Sequence, residues 1–175
     1  MDAEHREQAR LSALERYDGL DTPRELAFDR ITQVTRKVFQ VPIATVTFLD
    51  GHRQWFKSRQ GLSVEETPKE HAFCRRVVEQ DKPLVVSDAS RDARFAENPF
   101  VTGEPNVRFY AGIPLQTRDG HTIGTLCAID TEPRDFPESQ IGILSDLAGM
   151  VMDELELRVM ANRDALTGAL SRRGF

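Results

Sequence analysis

His71 and Cys74 stand three residues apart, a spacing that places both on one face if the segment is helical, and Arg75 and Arg76 follow at once. An imidazole and a thiol so placed could hold a haem or another metal, and the thiol alone could carry a covalent chromophore. Arginines turned toward the sulfur would lower its pKa and make it reactive. The competing reading is structural: Cys74 fills the core as a small hydrophobe, and His71 packs or caps at a helix start. A metal needs further ligands, and the four histidines and two cysteines of the whole chain place none by spacing. The structural reading leads, and no metal site is predicted. GxSxG, HExxH, a Gly-rich phosphate loop and a paired-cysteine motif are all absent from the sequence, so no catalytic residue is predicted either.

The second cysteine, Cys127, gains meaning from its neighbours. The runs VRFYAGIPLQT and HTIGTLCAID flank Asp119-Gly120, a dipeptide suited to a tight hairpin turn because glycine and aspartate tolerate positive φ. With a two-residue loop, Gly112 faces Cys127 and Tyr110 faces Ile129. One sheet face then carries Phe109, Ala111, Ile113, Leu115, Leu126 and Ala128, uniformly apolar, and reads as core. The other carries Tyr110, Pro114, Ile123, Thr125, Cys127 and Ile129. That mixture of apolar walls with hydroxyl and thiol groups suits a small-molecule pocket.

These residues need a scaffold, and the remaining sequence describes one. Residues 3–17 form a polar helix ended near Gly19. Thr22-Pro23-Arg24-Glu25 predicts a capping box opening a second helix, whose apolar face is Ala27, Ile31, Val34 and Val38. PIATVTFLD, Asp50-Gly51 and HRQWFKS predict a first hairpin; residues 70–80 a short helix; PLVVSD a strand; and 88–106 a long loop with at most a short helix. A helix from Pro137 to Arg163 spans roughly 40 Å, more than packing on one domain requires. Its Ile141, Ala148, Leu155 and Asn162 recur every seven residues, with Met152 and Val159 between them. That is a short coiled-coil seam, and it predicts a homodimer.

Composition narrows the class. Hydrophobic residues at 39% with 29% charged describe a globular chain. A net charge of −5 speaks against a nucleic-acid surface. No run is long and apolar enough for a membrane helix, and the charged N-terminus is no export signal. The expectation is a soluble cytoplasmic protein with both cysteines as free thiols.

Taken in order, LDTPRELAFDRIT, VPIATVTFLD, RQWFKSRQGL, HAFCRRVV, PLVVSDASRDARFAENPFV, VRFYAGIPL and GTLCAID resemble a GAF domain over residues 20–155. The closing RDALTGALSRRGF resembles the first helix of a GGDEF domain through Asp164, Leu166, Thr167, Gly168, Arg172 and Arg173, with Ser171 where Asn is usual. The resemblance implies an α+β fold of the GAF/PAS-like kind, a central antiparallel β-sheet with helices on its faces and a long C-terminal signalling helix. It divides the chain into an N-terminal helix (1–19), the GAF domain (20–155), a helical linker (156–163) and the start of a GGDEF domain (164–175). It implies a sensor controlling a diguanylate cyclase, with Mg and GTP bound only by the GGDEF domain. The ligand is an unknown small molecule held between the sheet and residues 70–108; haem, a bilin or a cyclic nucleotide is the weaker expectation. Trp55, Phe73, Cys74, Asp88, Arg108, Tyr110 and Cys127 are the pocket candidates. Two alternatives remain: a ligand-free dimerisation spacer, and a GAF-fold redox enzyme such as a free methionine sulfoxide reductase.

Overall fold

The computed structural model describes the backbone of residues 2–173 and the side chains of residues 2–163. The matches to the GGDEF pattern from Asp164 onward therefore lie outside the described side chains. Two helices open the fold, α1 (Ala3–Tyr17) and α2 (Leu26–Phe39), followed by strands β1 (Ile43–Leu49), β2 (Arg53–Gln60) and β3 (Glu66–Pro68). Then come α3 (Cys74–Gln80), β4 (Leu84–Val86), α4 (Pro99–Thr102), β5 (Phe109–Gln116), β6 (Thr122–Asp130) and α5 (Glu138–Arg173). The sheet has six strands in the order β3-β2-β1-β6-β5-β4, and every neighbouring pair is antiparallel. Helices α1, α2 and α5 cover one face, while α3, α4 and their loops cover the other. A sheet covered on both sides needs apolar or internally satisfied residues throughout its central strands. All seven residues of β1 are accordingly buried.

The hairpins refine the expectations. In the first, Asp50 N–H donates to Arg53 O while Asp50 Oδ1 accepts from the amides of His52 and Arg53. The turn is thus centred on Gly51-His52, one residue later than predicted, because the aspartate folds its own side chain into the turn. In the second, Thr117 pairs with His121, leaving a three-residue loop in which Gly120 takes a φ of 88°. A register shift between Leu115 and Gln116 offsets the extra residue, so Gly112 still faces Cys127 and Tyr110 still faces Ile129. The shift turns Ile123 to the helical face, opposite to the predicted side.

Helix α2 departs further. Its buried residues are Phe28, Ile31, Thr32, Thr35 and Phe39, whereas Val34 and Val38 are 45% and 48% exposed. The inward face includes two threonines because Thr32 Oγ1 meets Ser58 Oγ at 2.8 Å and Thr35 Oγ1 donates to Ile31 O at 2.8 Å. Nor does the capping box form. Thr22 Oγ1 donates to Gly19 O and accepts from Lys57 Nζ, and Glu25 also turns to Lys57. The buried ammonium of Lys57 claims the acceptors that would have capped the helix.

Helix α5 runs 36 residues, about 54 Å at 1.5 Å per residue. Leu144, Leu147, Ala148, Val151 and Leu155 are buried against the sheet, and Ile141, Met152 and Val159 pack beside them. The predicted dimer seam is therefore spent inside this chain: Ala148 and Leu155 belong to its own core, and Asn162 is exposed. Helix-on-sheet packing wants a wider stripe than a coiled coil, and it absorbed the heptad positions. A second set stays outside: Ile143, Met150, Leu157 and Met160, each 45–58% exposed.

Candidate functional site

Beneath α3 and α4 the sheet is not fully filled. A cavity of about 320 Å³ opens between the strands and the cover. Its floor is Thr45 of β1, Gln54 and Phe56 of β2, Thr67 of β3, Tyr110 of β5 and Cys127 of β6. Its cover comes from Leu62 and Val64 after β2, His71 to Phe73 before α3, and Phe100, Glu104, Pro105 and Val107 around and after α4.

The floor is a polar seam inside an apolar bowl. Tyr110 lies across Gly112, where any Cβ would overlap its hydroxyl, and reaches Cys127 Sγ at 3.1 Å. Glycine is required there for the tyrosine to lie flat. Cys127 also meets Thr125 Oγ1 at 3.0 Å, which in turn meets Thr47 Oγ1 at 2.7 Å. Cys74 Sγ donates to Gln54 Oε1 at 2.7 Å, and Gln54 Nε2 donates to Thr67 Oγ1 at 2.9 Å. Thr45 differs: it is 1% exposed, and its Oγ1 has no hydrogen-bond partner among the described residues. An unpaired buried hydroxyl costs on the order of 1–3 kcal/mol, so its presence calls for a reason.

Three of the seven sequence-predicted pocket residues meet here: Phe73, Tyr110 and Cys127. Phe73 stacks on Phe95 at 4.4 Å and tilts against Tyr110 at 5.1 Å. Trp55 lies on the opposite face, stacked on Phe48 at 6.4 Å, because alternation along β2 sends Gln54 and Phe56 toward the cavity instead. Cys74 is buried with Leu49, Ala72 and Val78 behind the cavity wall. Asp88 caps the turn at Ala89–Arg91, accepting from Ser90 N and Oγ, contacts that hold its carboxyl below the usual range. Arg108 Nη1 donates to the carbonyls of Val101 and Val107, positioning the cover without lining the cavity.

The pairing of His71 with Cys74 does not form. His71 sits in a 3-10 turn (Lys69–His71) that ends before α3 begins, and its ring stands edge-on to Phe100 at 6.4 Å. Arg75 bonds Glu79 and Arg76 lies over Phe95, so neither acts on the thiol. Burial pushes the thiols of Cys74 and Cys127 and the phenol of Tyr110 up, keeping all three protonated. Among the described residues, no three His, Cys, Asp or Glu side chains are grouped to hold a metal. The arrangement can bind and enclose; it offers no poised nucleophile. Thr45, Gln54, Phe56 and Thr67 were not singled out from the sequence. Only the alternation of Ile43, Thr45 and Thr47 along β1 hinted at a polar stripe on that face.

On the sheet's other side a second cluster holds the exit helix. Lys57 of β2, with its side chain fully buried, pairs with Glu25 and donates to Pro23 O at 2.8 Å. Desolvation lowers its pKa, and Glu25 opposes that. Glu25 also accepts from Arg158 of α5 at 2.8 Å, and both cations lie near the Phe28 ring, its centroid 5.5 Å from Lys57 Nζ and 5.8 Å from the Arg158 guanidinium. Nearby, the Tyr17 hydroxyl donates to Glu156.

The profile described as "GAF domain" matches residues 23–155. A Pseudomonas aeruginosa protein named cyclic di-GMP phosphodiesterase is 37% identical over 168 residues, which are 95% of this chain but 29% of that protein. Among solved structures, the blue-light absorbing form of the PixJ GAF domain from Thermosynechococcus elongatus superposes with a TM-score of 0.65 at 15% identity, covering 91% of this chain and 94% of that one. The free methionine-R-sulfoxide reductase of Neisseria meningitidis, in complex with its substrate, gives 0.62 at 19% identity, covering 94% and 95%. At such identities these structures speak for the fold alone.

Proposed function

This chain belongs to the GAF domain family, and from that premise we propose that it is the regulatory input of an enzyme of cyclic di-GMP turnover, governed by a small molecule held in the cavity. The observation that carries the reading is the position of β2. Its Gln54 and Phe56 line the cavity, while Lys57, the next residue, points through to the other face and anchors Glu25 and, through it, Arg158 of α5. A ligand that shifts β2 acts directly on the residues that fix the exit helix. It can do so only through its differential affinity for two arrangements; reversing a 1:99 balance takes about 5.5 kcal/mol.

Output runs along α5 into the segment from Asp164 that resembles a GGDEF helix. Two chains meet through the exposed stripe Ile143, Met150, Leu157 and Met160, spaced seven, seven and three apart. In that reading the downstream domain binds Mg and GTP and makes cyclic di-GMP, with the pair of active sites set by dimer geometry, and the protein works in the cytoplasm. Among the described residues no helix is long and apolar enough to cross a membrane. The Pseudomonas relative supports a second reading, in which the regulated activity is hydrolysis of cyclic di-GMP.

The test is to express a longer chain continuing past Phe175 and to assay it for both conversion of GTP to cyclic di-GMP and hydrolysis of the cyclic dinucleotide. Glu25→Gln is expected to change whichever rate is present by severalfold, at an unchanged substrate KM. Absence of both activities, or indifference to Glu25→Gln, would sink the proposal.

A further inference from the structure

The cavity's lining constrains what it can hold, and the inference rests on the reading of it as the ligand site. We infer that the ligand is a small aromatic molecule, uncharged at its buried end, whose hydroxyl or carbonyl hydrogen-bonds Thr45 Oγ1.

Charge is the first constraint. No lysine or arginine lines the cavity, and its ionisable walls are His71, Glu104, Tyr110 and Cys127. Burial keeps the last two protonated, and Glu104 is an exposed carboxylate at the rim. A phosphate or carboxylate pushed into this space would meet no lysine or arginine and would lose its hydration. The lining disfavours nucleotides and organic acids on that ground.

Size and wall chemistry are the second. A cavity of roughly 150 Å³ lined by aliphatic and aromatic residues suffices for benzene. The 320 Å³ here suits about two fused rings. Phe56, Phe73, Phe100 and Val107 supply flat and branched apolar surfaces on several sides, the setting in which aromatic rings stack offset or edge-on.

The third constraint selects the polar group. Along the floor each polar side chain except one already has a partner: Gln54 with Thr67 and Cys74, Tyr110 and Thr125 with Cys127. Thr45 faces Cys127 across the β1–β6 pair, near enough to temper the rise that burial gives that thiol's pKa, but it makes no properly aligned hydrogen bond to a sulfur already engaged by Tyr110 and Thr125. Thr45 lines the cavity floor, and its hydroxyl is unpaired and closed to a water-sized probe in the free chain, so a turn of this side chain accompanies its engagement by a ligand. One ligand oxygen at that point completes the seam.

The test uses the chain itself and four probes at neutral pH: 2-naphthol, naphthalene, 2-naphthoate and cyclic GMP, with affinities measured by tryptophan-independent calorimetry or ligand-observed NMR. 2-Naphthol is expected to bind, and the two anions are not. Thr45→Val is expected to weaken 2-naphthol roughly three- to tenfold, the worth of one neutral hydrogen bond, and to leave naphthalene unchanged. Thr45→Ser keeps the hydroxyl and should keep the affinity. The isosteric valine removes an unpaired hydroxyl, so thermal unfolding of the free variant should be no lower than that of the parent. Tight binding of 2-naphthoate or cyclic GMP would overturn the ligand class while leaving the sensor reading intact. Equal 2-naphthol affinity in parent and Thr45→Val would show that the ligand makes no hydrogen bond to this hydroxyl and overturn the anchor. Failure of all four probes would overturn both this inference and the cavity as a ligand site.

Discussion

The two faces of the sheet are built by opposite rules. On one, three long helices bury a continuous apolar cluster running from Ala13 and Leu14 through Phe28, Val46, Phe48 and Leu126 to Leu155. On the other, the cover is a seven-residue helix, a four-residue helix and two 3-10 turns, over a floor that is largely hydroxyl, thiol and amide. The first face obtains its stability from apolar area; the second leaves a gap and balances its polar groups pairwise. A sheet that must be rigid toward its own helices yet yield to a ligand can divide the two tasks this way. Ligand-binding regions are drawn from the low-stability end of a structure for the same reason.

The largest expected effect tests that division directly. Leu126 and Ile129 sit three residues apart on β6, on opposite faces, the first fully buried among the helices and the second partly buried at the cavity wall. Leu126→Ala should cost about 2–5 kcal/mol, the range for a packed leucine whose site cannot collapse. Ile129→Ala should cost about 1 kcal/mol, because its side chain already borders space and forfeits fewer contacts. Urea unfolding of both variants measures the gap. Equal losses would mean that the two faces share one packing regime and that the comparison is false.

Next in size is the polar anchor on the otherwise apolar face. Glu25 is the shared partner of Lys57 and Arg158, and Lys57 has no exposure of its own. Glu25→Gln removes the counter-charge of a buried ammonium and should destabilise by about 2 kcal/mol, toward the lower end for such pairs because Glu25 itself is partly exposed. Adding Lys57→Met should restore much of the loss, since no uncompensated charge is then left buried on β2. A double variant no better than the single would show that Glu25 acts through Arg158 and Pro23–Leu26 geometry, not through the buried charge.

Legibility in the sequence followed the same division. The β5–β6 hairpin was readable because Asp119-Gly120 and the alternating runs are local signals; the register held although the loop is one residue longer, since the shift at Leu115/Gln116 compensates. The inward face of α2 was hidden by Thr32 and Thr35, polar residues that are buried because they bond Ser58 and Ile31. The capping motif at Thr22–Glu25 misled because its acceptors serve Lys57, a strand residue more than thirty positions away. The heptads of α5 were real but twofold, and no local signal says which set meets the sheet. The cavity floor was least legible. Thr45, Gln54 and Thr67 come together only through the strand order β3-β2-β1-β6, which no motif in the chain encodes. Tyr110 and Cys127 were found because they share one hairpin.

The smallest expected effect concerns how the cover is attached. Asn98 caps α4 by accepting from Phe100 N at 2.9 Å, and its Nδ2 donates to His71 O at 3.0 Å, so one side chain ties the two halves of the cover together. Asn98→Ala removes both contacts. Loss of such a cap is worth about 1 kcal/mol, which corresponds to roughly a fivefold change in a local opening equilibrium. If the cover opens independently of the core, amide exchange at Val101, Gly103 and Val107, whose N–H groups bond within residues 98–107, should quicken about fivefold. The amides of Leu126 and Ala128 on β6 should then keep their rates, because global unfolding governs them. A matched acceleration in β6 would show that cover and core unfold as one unit. The second face would then be no looser than the first, and a ligand in the cavity would have to work against the whole fold in order to move β2.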